Sequence, residues 1–309
     1  MGSQKNRYDI HPDFRRLRLV RFPRTRIALM LINFIFRLVY HWTKVPANIS
    51  CRRLWVTTRD GATIAVDLFM PRGDATPPCL MYLPGGGFVL RATPFHKKVI
   101  AMIAWDLGIA AALIHYRLAP KHLFPTAFHD VLDTWDYLVK NAESLGIDPS
   151  RFAIGGDSAG GNLATGATLY NKDKVGHPLN CTLLVYPATD RDQKSRSRRQ
   201  YTDTPLFDAR RLQDINRKYY ANGFFGLEQY AFPLHHKDVS GIPPVYVETA
   251  EYDPLHDDGT LFFNKLIKAG VTAVLNDTKG TIHGYDVMQN SEIVKDSLRR
   301  RKAFVNEHL

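Results

Sequence analysis

Residues 155–162 read Gly-Gly-Asp-Ser-Ala-Gly-Gly-Asn, set between the strand-like 151–154 and the helix-forming 163–169. A chain that passes from strand to helix within so few residues needs small side chains at the flanks of the turn, so Gly156 and Gly160 frame a tight corner with Ser158 at its apex. There the hydroxyl is pushed out at a helix N-terminus, where developing negative charge is favoured. Gly-x-Ser-x-Gly alone arises often by chance. The strand before it and the helix after it give this copy the setting of a nucleophile elbow.

The rest of the chain supplies a framework for that corner. Segments 52–58 and 63–70 flank Arg59-Asp60-Gly61 and read as a hairpin at the antiparallel edge of a larger sheet. Beyond them strands near 79–83 and 109–116 alternate with helices near 96–107 and 126–145. Val131, Leu132, Trp135, Leu138 and Val139 give the second of these helices its period. After the elbow, strands fit 182–186, 244–249 and 271–276, and helices fit 257–269 and 292–306. Repeated alternation predicts an α/β fold with a mostly parallel sheet covered on both faces. Between 189 and 233 the alternation lapses into a polar stretch and then aromatics, which reads as a piece of cap inserted after a sheet strand. With 309 residues, 45% of them hydrophobic, one such domain can bury a large core. The expectation is a single domain over 1–309, with cap contributed by about 1–50 and about 189–233. The basic runs 194–199 and 299–302 read as solvated faces.

Charge is uneven along the chain. Residues 1–60 hold 13 Lys/Arg against 3 Asp/Glu, and the remainder holds 28 against 27. A nucleic-acid enzyme would carry its basic surface around the chemistry, and no finger, RNP or basic-zipper pattern occurs, so nucleic acid is disfavoured as a partner. Within the basic region the apolar run 27–36 has the look of a signal peptide. Arg37, His41 and Trp42 follow it where a cleavage site would need small residues, however, and the run is too short to span a bilayer. As a helix it separates into faces. Asn33, Arg37, His41 and Lys44 fall on one, and Ile27, Met30, Leu31, Phe34, Leu38 and Trp42 on the other. The expected use of the apolar face is to pack on the protein as a cap over the site; the alternative is peripheral contact with an acidic membrane surface. Three cysteines, Cys51, Cys79 and Cys181, are an odd number without ligand-like spacing, which points to free thiols and a cytoplasmic location.

A serine hydroxyl is a poor nucleophile until a base takes its proton, and the base works best when a carboxylate fixes its tautomer. On an α/β-hydrolase fold these partners follow the serine in the order acid, then histidine, each on a loop beyond a strand. The strand-like 245–249 leads to Asp253, and 271–276 leads to His283. Glu251 is a serious rival to Asp253. Asp257 and Asp258 read as first-turn helix caps, and His236 and His256 are further histidines. Gly85-Gly86-Gly87 closes the first central strand, and no Gly-Lys-Ser/Thr follows, so a phosphate loop is excluded. Side-chain-free backbone there can approach a substrate carbonyl and donate N–H groups to a tetrahedral oxyanion, with the Ala159 N–H completing the set.

Together the glycine turn, Tyr116-Arg-Leu-Ala-Pro-Lys-His-Leu-Phe-Pro125, the Gly-Asp-Ser-Ala-Gly-Gly-Asn elbow, Asp253-Pro-Leu and His283-Gly resemble the hormone-sensitive-lipase-like esterases, a carboxylesterase family of the α/β-hydrolase superfamily. The resemblance runs from about residue 68 to the C-terminus. It implies Ser158 as nucleophile, His283 as base and Asp253 as its partner. Gly86, Gly87 and Ala159 would be the oxyanion donors, with Gly85 supporting the loop and a helical cap at the N-terminus. It also implies hydrolysis of short-chain esters, acetyl esters included, with no cofactor and no metal. One departure stands out, since the family's loop begins His-Gly-Gly-Gly and this one begins Pro84-Gly-Gly-Gly. Proline removes a backbone donor and holds Leu83 extended. The alternatives are a non-catalytic small-molecule-binding protein on the same fold, or an amidase or acyltransferase using the same three side chains. Homodimerisation is left open.

Overall fold

The computed structural model describes residues 7–309 except 24, 74, 75 and 193. A 3-10 turn at Pro12–Leu19 leads to α1 (Arg26–Trp42), then β1 (Ile49–Thr57), β2 (Thr63–Pro71) and β3 (Cys79–Leu83). There follow α2 (Pro94–Leu107), β4 (Ala110–His115), α3 (Thr126–Lys140), α4 (Ala142–Leu145), β5 (Phe152–Asp157), α5 (Ala159–Tyr170) and β6 (Cys181–Val185). Three helices come next, α6 (Arg196–Gln200), α7 (Ala209–Tyr219) and α8 (Glu228–Ala231). The chain closes with β7 (Val245–Tyr252), α9 (His256–Lys268), β8 (Ala273–Ile282) and α10 (Glu292–His308). The strands form one sheet in the order β1-β2-β4-β3-β5-β6-β7-β8, in which only β1/β2 and β2/β4 are antiparallel.

Burial on both faces explains why the central strands read as unbroken apolar runs. Along β3, Cys79, Met81 and Leu83 point to one face, into the core that also holds Trp135 and Leu138 of α3, Leu163 and Ala167 of α5, and Phe262 and Leu266 of α9. Leu80 and Tyr82 point to the other, against Val99, Ile100 and Ile103 of α2 and Phe304 of α10. Two expected boundaries shift. The helix over 126–145 breaks at Asn141, whose side chain donates to the Tyr137 carbonyl and competes with the backbone. The last strand continues to Ile282, past its apolar portion, because Asp277 and Thr278 find polar partners at Thr249 on β7.

Helix α1 is turned the opposite way from expectation. Ile27, Met30, Leu31, Phe34, Leu38 and Trp42 do not pack on the protein; they are between 48% and 78% exposed. Inward it is Asn33 that is fixed, its Nδ2 donating to the Val89 carbonyl and its Oδ1 accepting from the Arg91 N–H, both at 2.9 Å. Tyr40 is buried and donates to Asp67, while Leu29, Ile32 and Phe36 supply half-buried apolar surface on the same side. A helix with apolar residues on two sides has a legible period, but the period does not say which side seats. The N-terminal segment and the 189–233 segment lie against each other. Phe22 donates its N–H to Leu206, Arg211 reaches the Pro23 carbonyl at 2.6 Å, and Tyr8 bonds Asp203.

Candidate active site

The corner between β5 and α5 places Ser158 at φ 54° and ψ −115°, a strained conformation for a residue with a side chain. Its neighbours enforce it. A Cβ on Gly160 would lie 1.9 Å from the Leu83 carbonyl oxygen, and one on Gly156 would lie 2.4 Å from the Gly160 carbonyl carbon. Both positions therefore require glycine for close backbone approach. The Ser158 N–H donates to Val185 at the end of β6, and Asn162 pins the next turn by donating to the Ala188 and Ala231 carbonyls.

Asp253 immediately follows β7, and His283 immediately follows β8. Because these strands are neighbours, their end loops adjoin. His283 Nδ1 lies 2.7 Å from Asp253 Oδ2, and Nε2 lies 3.0 Å from Ser158 Oγ. With Nδ1–H given to the carboxylate, Nε2 keeps its lone pair toward the hydroxyl. The other Asp253 oxygen accepts from the Leu255 N–H, and the residue is fully buried. The imidazole is clamped between the rings of Tyr186 and Phe207, whose centroids lie 4.8 and 4.6 Å away.

The register of Leu83 opposite Gly156 brings the glycine turn alongside the elbow. Gly86 and Gly87 adopt φ of 130° and 59°, which a side chain would resist. Gly85 donates its N–H to Asp157 Oδ1 at 3.0 Å, so that donor is already engaged within the loop. Among the described residues the N–H groups of Gly86 and Gly87 find no acceptor, and that of Ala159 projects from the first position of α5. The Pro84 carbonyl accepts from the Tyr116 hydroxyl, which holds the position where the family's histidine would stand.

Sequence reasoning missed the residue that organises this turn. Asp157, the second residue of the elbow motif, is buried. It accepts from Gly85, from the Tyr82 hydroxyl and from His96 Nε2. Burial alone would raise its carboxyl, but His96, the Gly85 N–H and Tyr82 together hold it below the ordinary aspartate value. A carboxylate inside an otherwise small and apolar motif was the available signal. A second network lies behind the histidine. Tyr186 donates to Asp286 at 2.7 Å, Asp286 pairs with Arg301 at 2.9 Å, and Arg301 also pairs with Glu248, which accepts from Tyr285.

The other candidates are engaged elsewhere. Glu251 accepts from the Gly280 N–H, His236 faces Asp173, and His256 lies between Asp257 and Asp277. Asp257 accepts from the Ser197 N–H. Asp258 does stand in the first turn of α9, where it forms a fully buried ion pair with Arg198 at 2.6 Å. That pair and the Arg301 network correct the expectation that both basic runs are solvated faces; each contributes one arginine to the interior, where Arg198 meets Asp258 of α9 and Arg301 meets Glu248 of β7 and Asp286 of the turn after β8. Among the described residues one trio has metal-ligand geometry, Asp190, Asp192 and His235, and two of its members are exposed. It is separate from Ser158.

A family profile described as alpha/beta hydrolase fold matches residues 80–287. The chain is 36% identical over 250 residues to an ethyl acetate hydrolase of Pseudomonas putida, covering 79% of this chain and 77% of that one. It is 35% identical over 212 residues to carboxylesterase NlhH of Mycobacterium tuberculosis, covering 67% and 66%. Among solved structures, a bacterial heroin esterase superposes with a TM-score of 0.88 at 28% identity, covering 97% of this chain and 98% of that one. Esterase LipW from Mycobacterium marinum gives a TM-score of 0.89 at 25% identity, covering 97% and 96%.

Proposed function

This chain belongs to the hormone-sensitive-lipase-like carboxylesterases of the α/β-hydrolase superfamily, and from that premise we propose that it hydrolyses short-chain carboxylic esters, acetyl esters included, through an acyl-Ser158 intermediate. The observation that carries this reading is the hydrogen-bonded series Ser158–His283–Asp253 beside a turn with unspent backbone donors. In the proposed reaction Ser158 Oγ attacks the ester carbonyl as His283 Nε2 takes its proton, and Asp253 stabilises the imidazolium. The oxyanion is received by the N–H groups of Gly86, Gly87 and Ala159. The tetrahedral adduct collapses as His283 returns the proton to the departing alcohol. Water, activated by the same imidazole, then releases the acid. Similarity to an ethyl acetate hydrolase supports a small acyl group. The contacts of 7–23 with 203–211 support reading the N-terminal and 189–233 segments as one two-part cap, and Phe207 brings that cap against the catalytic ring.

The test is Ser158→Ala assayed on p-nitrophenyl acetate, with a fluorophosphonate probe as a second readout. Turnover should fall by at least about 10⁴-fold and labelling should vanish. Parent-level hydrolysis by the variant would sink the mechanism. A parent protein that neither labels nor hydrolyses would favour the binding-protein reading.

A second proposal concerns α1. Among the described residues no helix is long and apolar enough to cross a membrane. Eight large apolar side chains of α1 nevertheless face outward, the six already named together with Ile35 and Val39, in the most basic part of the chain. We propose that this face makes peripheral contact with an anionic membrane surface. Phe34→Asp should reduce vesicle binding several-fold while p-nitrophenyl acetate hydrolysis persists. A homodimer closed over the same face would show instead as concentration-dependent sedimentation that Phe34→Asp abolishes.

A further inference from the structure

Beside the C-terminal half of α1 opens a cavity of about 480 Å³, a volume within the range of small-ligand sites, roughly 300–1,000 Å³. Four guanidinium groups line it. Arg37 comes from α1, Arg53 from β1, Arg91 from the segment after the glycine turn, and Arg117 from the loop after β4. Two of them are already neutralised, Arg53 by Asp67 at 2.7 Å and Arg117 by Asp130 at 2.6 Å and Asp60 at 2.7 Å. Arg37 and Arg91 have no acidic partner among the described residues. Arg91 is half-buried; burial, followed by repulsion from Arg37 and Arg53, holds its pKa below the ordinary guanidinium value. Like charges crowded into a partly desolvated cleft are unfavourable unless an anion offsets them, and the planar forks of arginine match phosphate oxygens two at a time.

The position of the cavity narrows the choice of anion. Leu38 and Trp42 belong both to its wall and to the outward apolar face of α1, so mouth and face are continuous. Trp55, also in the wall, is 64% exposed, and exposed tryptophans are suited to the level of lipid headgroups. An anion held by Arg37 and Arg91 would therefore carry its apolar part along α1. We infer that this cavity receives the phosphate of an anionic phospholipid while the α1 face lies against the acyl region. The inference rests on the peripheral-membrane reading above and adds to it a specific headgroup site.

The full chain is co-sedimented with phosphatidylglycerol vesicles and with phosphatidylcholine vesicles. Three proteins are compared: the parent, Arg37→Gln/Arg91→Gln, and Arg15→Gln/Arg16→Gln, which removes two exposed arginines outside the cavity. The cavity variant should bind phosphatidylglycerol on the order of thirtyfold more weakly, at roughly fivefold per cation lost, with the control variant changed only a few-fold. Hydrolysis of dissolved p-nitrophenyl acetate should be the same in all three. Equal losses in the two variants would overturn the headgroup site in favour of diffuse attraction. Equal binding of both vesicle types would overturn it too, leaving contact of the α1 face with a membrane but not its preference for an anionic one. Failure to bind either vesicle would overturn both. Inorganic phosphate at constant ionic strength separates the sources: thermal stabilisation of the parent but not of the cavity variant, with no vesicle bound, would assign the cavity to a free anion and overturn the lipid.

Discussion

Replacing Gly160 by alanine adds one methyl group at the point where α5 crosses the end of β3. Its carbon would stand 1.9 Å from the Leu83 carbonyl oxygen, whereas side-chain carbons are essentially never found closer than 3.0 Å, so the two backbones must part by about 1.1 Å. Both are part of the site: Leu83 leads into the glycine turn and Gly160 follows the nucleophile by two residues. If α5 carries Ser158 with it, the 3.0 Å contact to His283 Nε2 lengthens beyond hydrogen-bond range and the Ala159 N–H leaves the oxyanion position. A displacement of about 1 Å at reacting groups costs on the order of 10²-fold, and loss of an oxyanion donor 10²- to 10³-fold. Overpacking of this kind also lowers stability by roughly 1–3 kcal/mol. Gly160→Ala should accordingly retain its fold and much of its KM for p-nitrophenyl acetate while kcat falls at least about 10²-fold, as read by steady-state kinetics and denaturant melts. A variant within threefold of the parent in kcat would refute the claim that backbone contact between β3 and α5 sets the geometry of the site.

Asp253→Asn should keep the arrangement of the loops but reverse the imidazole tautomer, lowering kcat by about 10⁴-fold; less than a tenfold loss would point to another acid as the partner of His283. Because the carboxyl of Asp157 is held below its ordinary value, its stabilisation of the glycine turn is complete above about pH 4 and is lost as pH falls through the depressed value. Asp157→Asn should therefore be roughly 1–3 kcal/mol less stable than the parent at pH 7, with the gap narrowing toward pH 3 in melts taken across that range; a constant gap would contradict the reasoning. Arg301→Met strands Glu248 and Asp286 in the interior and should cost about 3–5 kcal/mol in urea unfolding, and a change under 1 kcal/mol would show that those carboxylates do not depend on it.

Most of the architecture was legible in the chain, because central strands buried on both faces leave short apolar runs and helices such as α3 and α9, buried on one, leave a helical period. The convergence of Ser158, Asp253 and His283 was legible for a different reason: turn chemistry and chain order restrict which loops can meet at one end of a parallel sheet. Three matters were not legible. Arg198 and Arg301 sit inside short basic runs, and only the carboxylates they meet, 60 and 53 residues away in the chain for Asp258 and Glu248, distinguish them from their exposed neighbours. The seating of α1 depended on two hydrogen bonds at Asn33, one given to Val89 and one accepted from Arg91, a local event that outweighs an apolar stripe when the opposite side is itself apolar enough to pack. Asp157 received no role in the sequence, where it stands between Gly156 and Ser158. Its partner His96 lies 61 residues away, and their pairing is decided by the crossing of α2 over the sheet rather than by any spacing.

The arginine that anchors the wall behind His283 comes from α10, later in the chain than every residue it supports. During synthesis Ser158, the glycine turn and His283 all emerge from the ribosome before it, yet Glu248 and Asp286 remain without their counter-charge until α10 has followed them. A nascent chain thus holds all the proposed reacting groups before the wall behind the imidazole is complete, and a chain interrupted ahead of α10 would carry the whole signature without that wall.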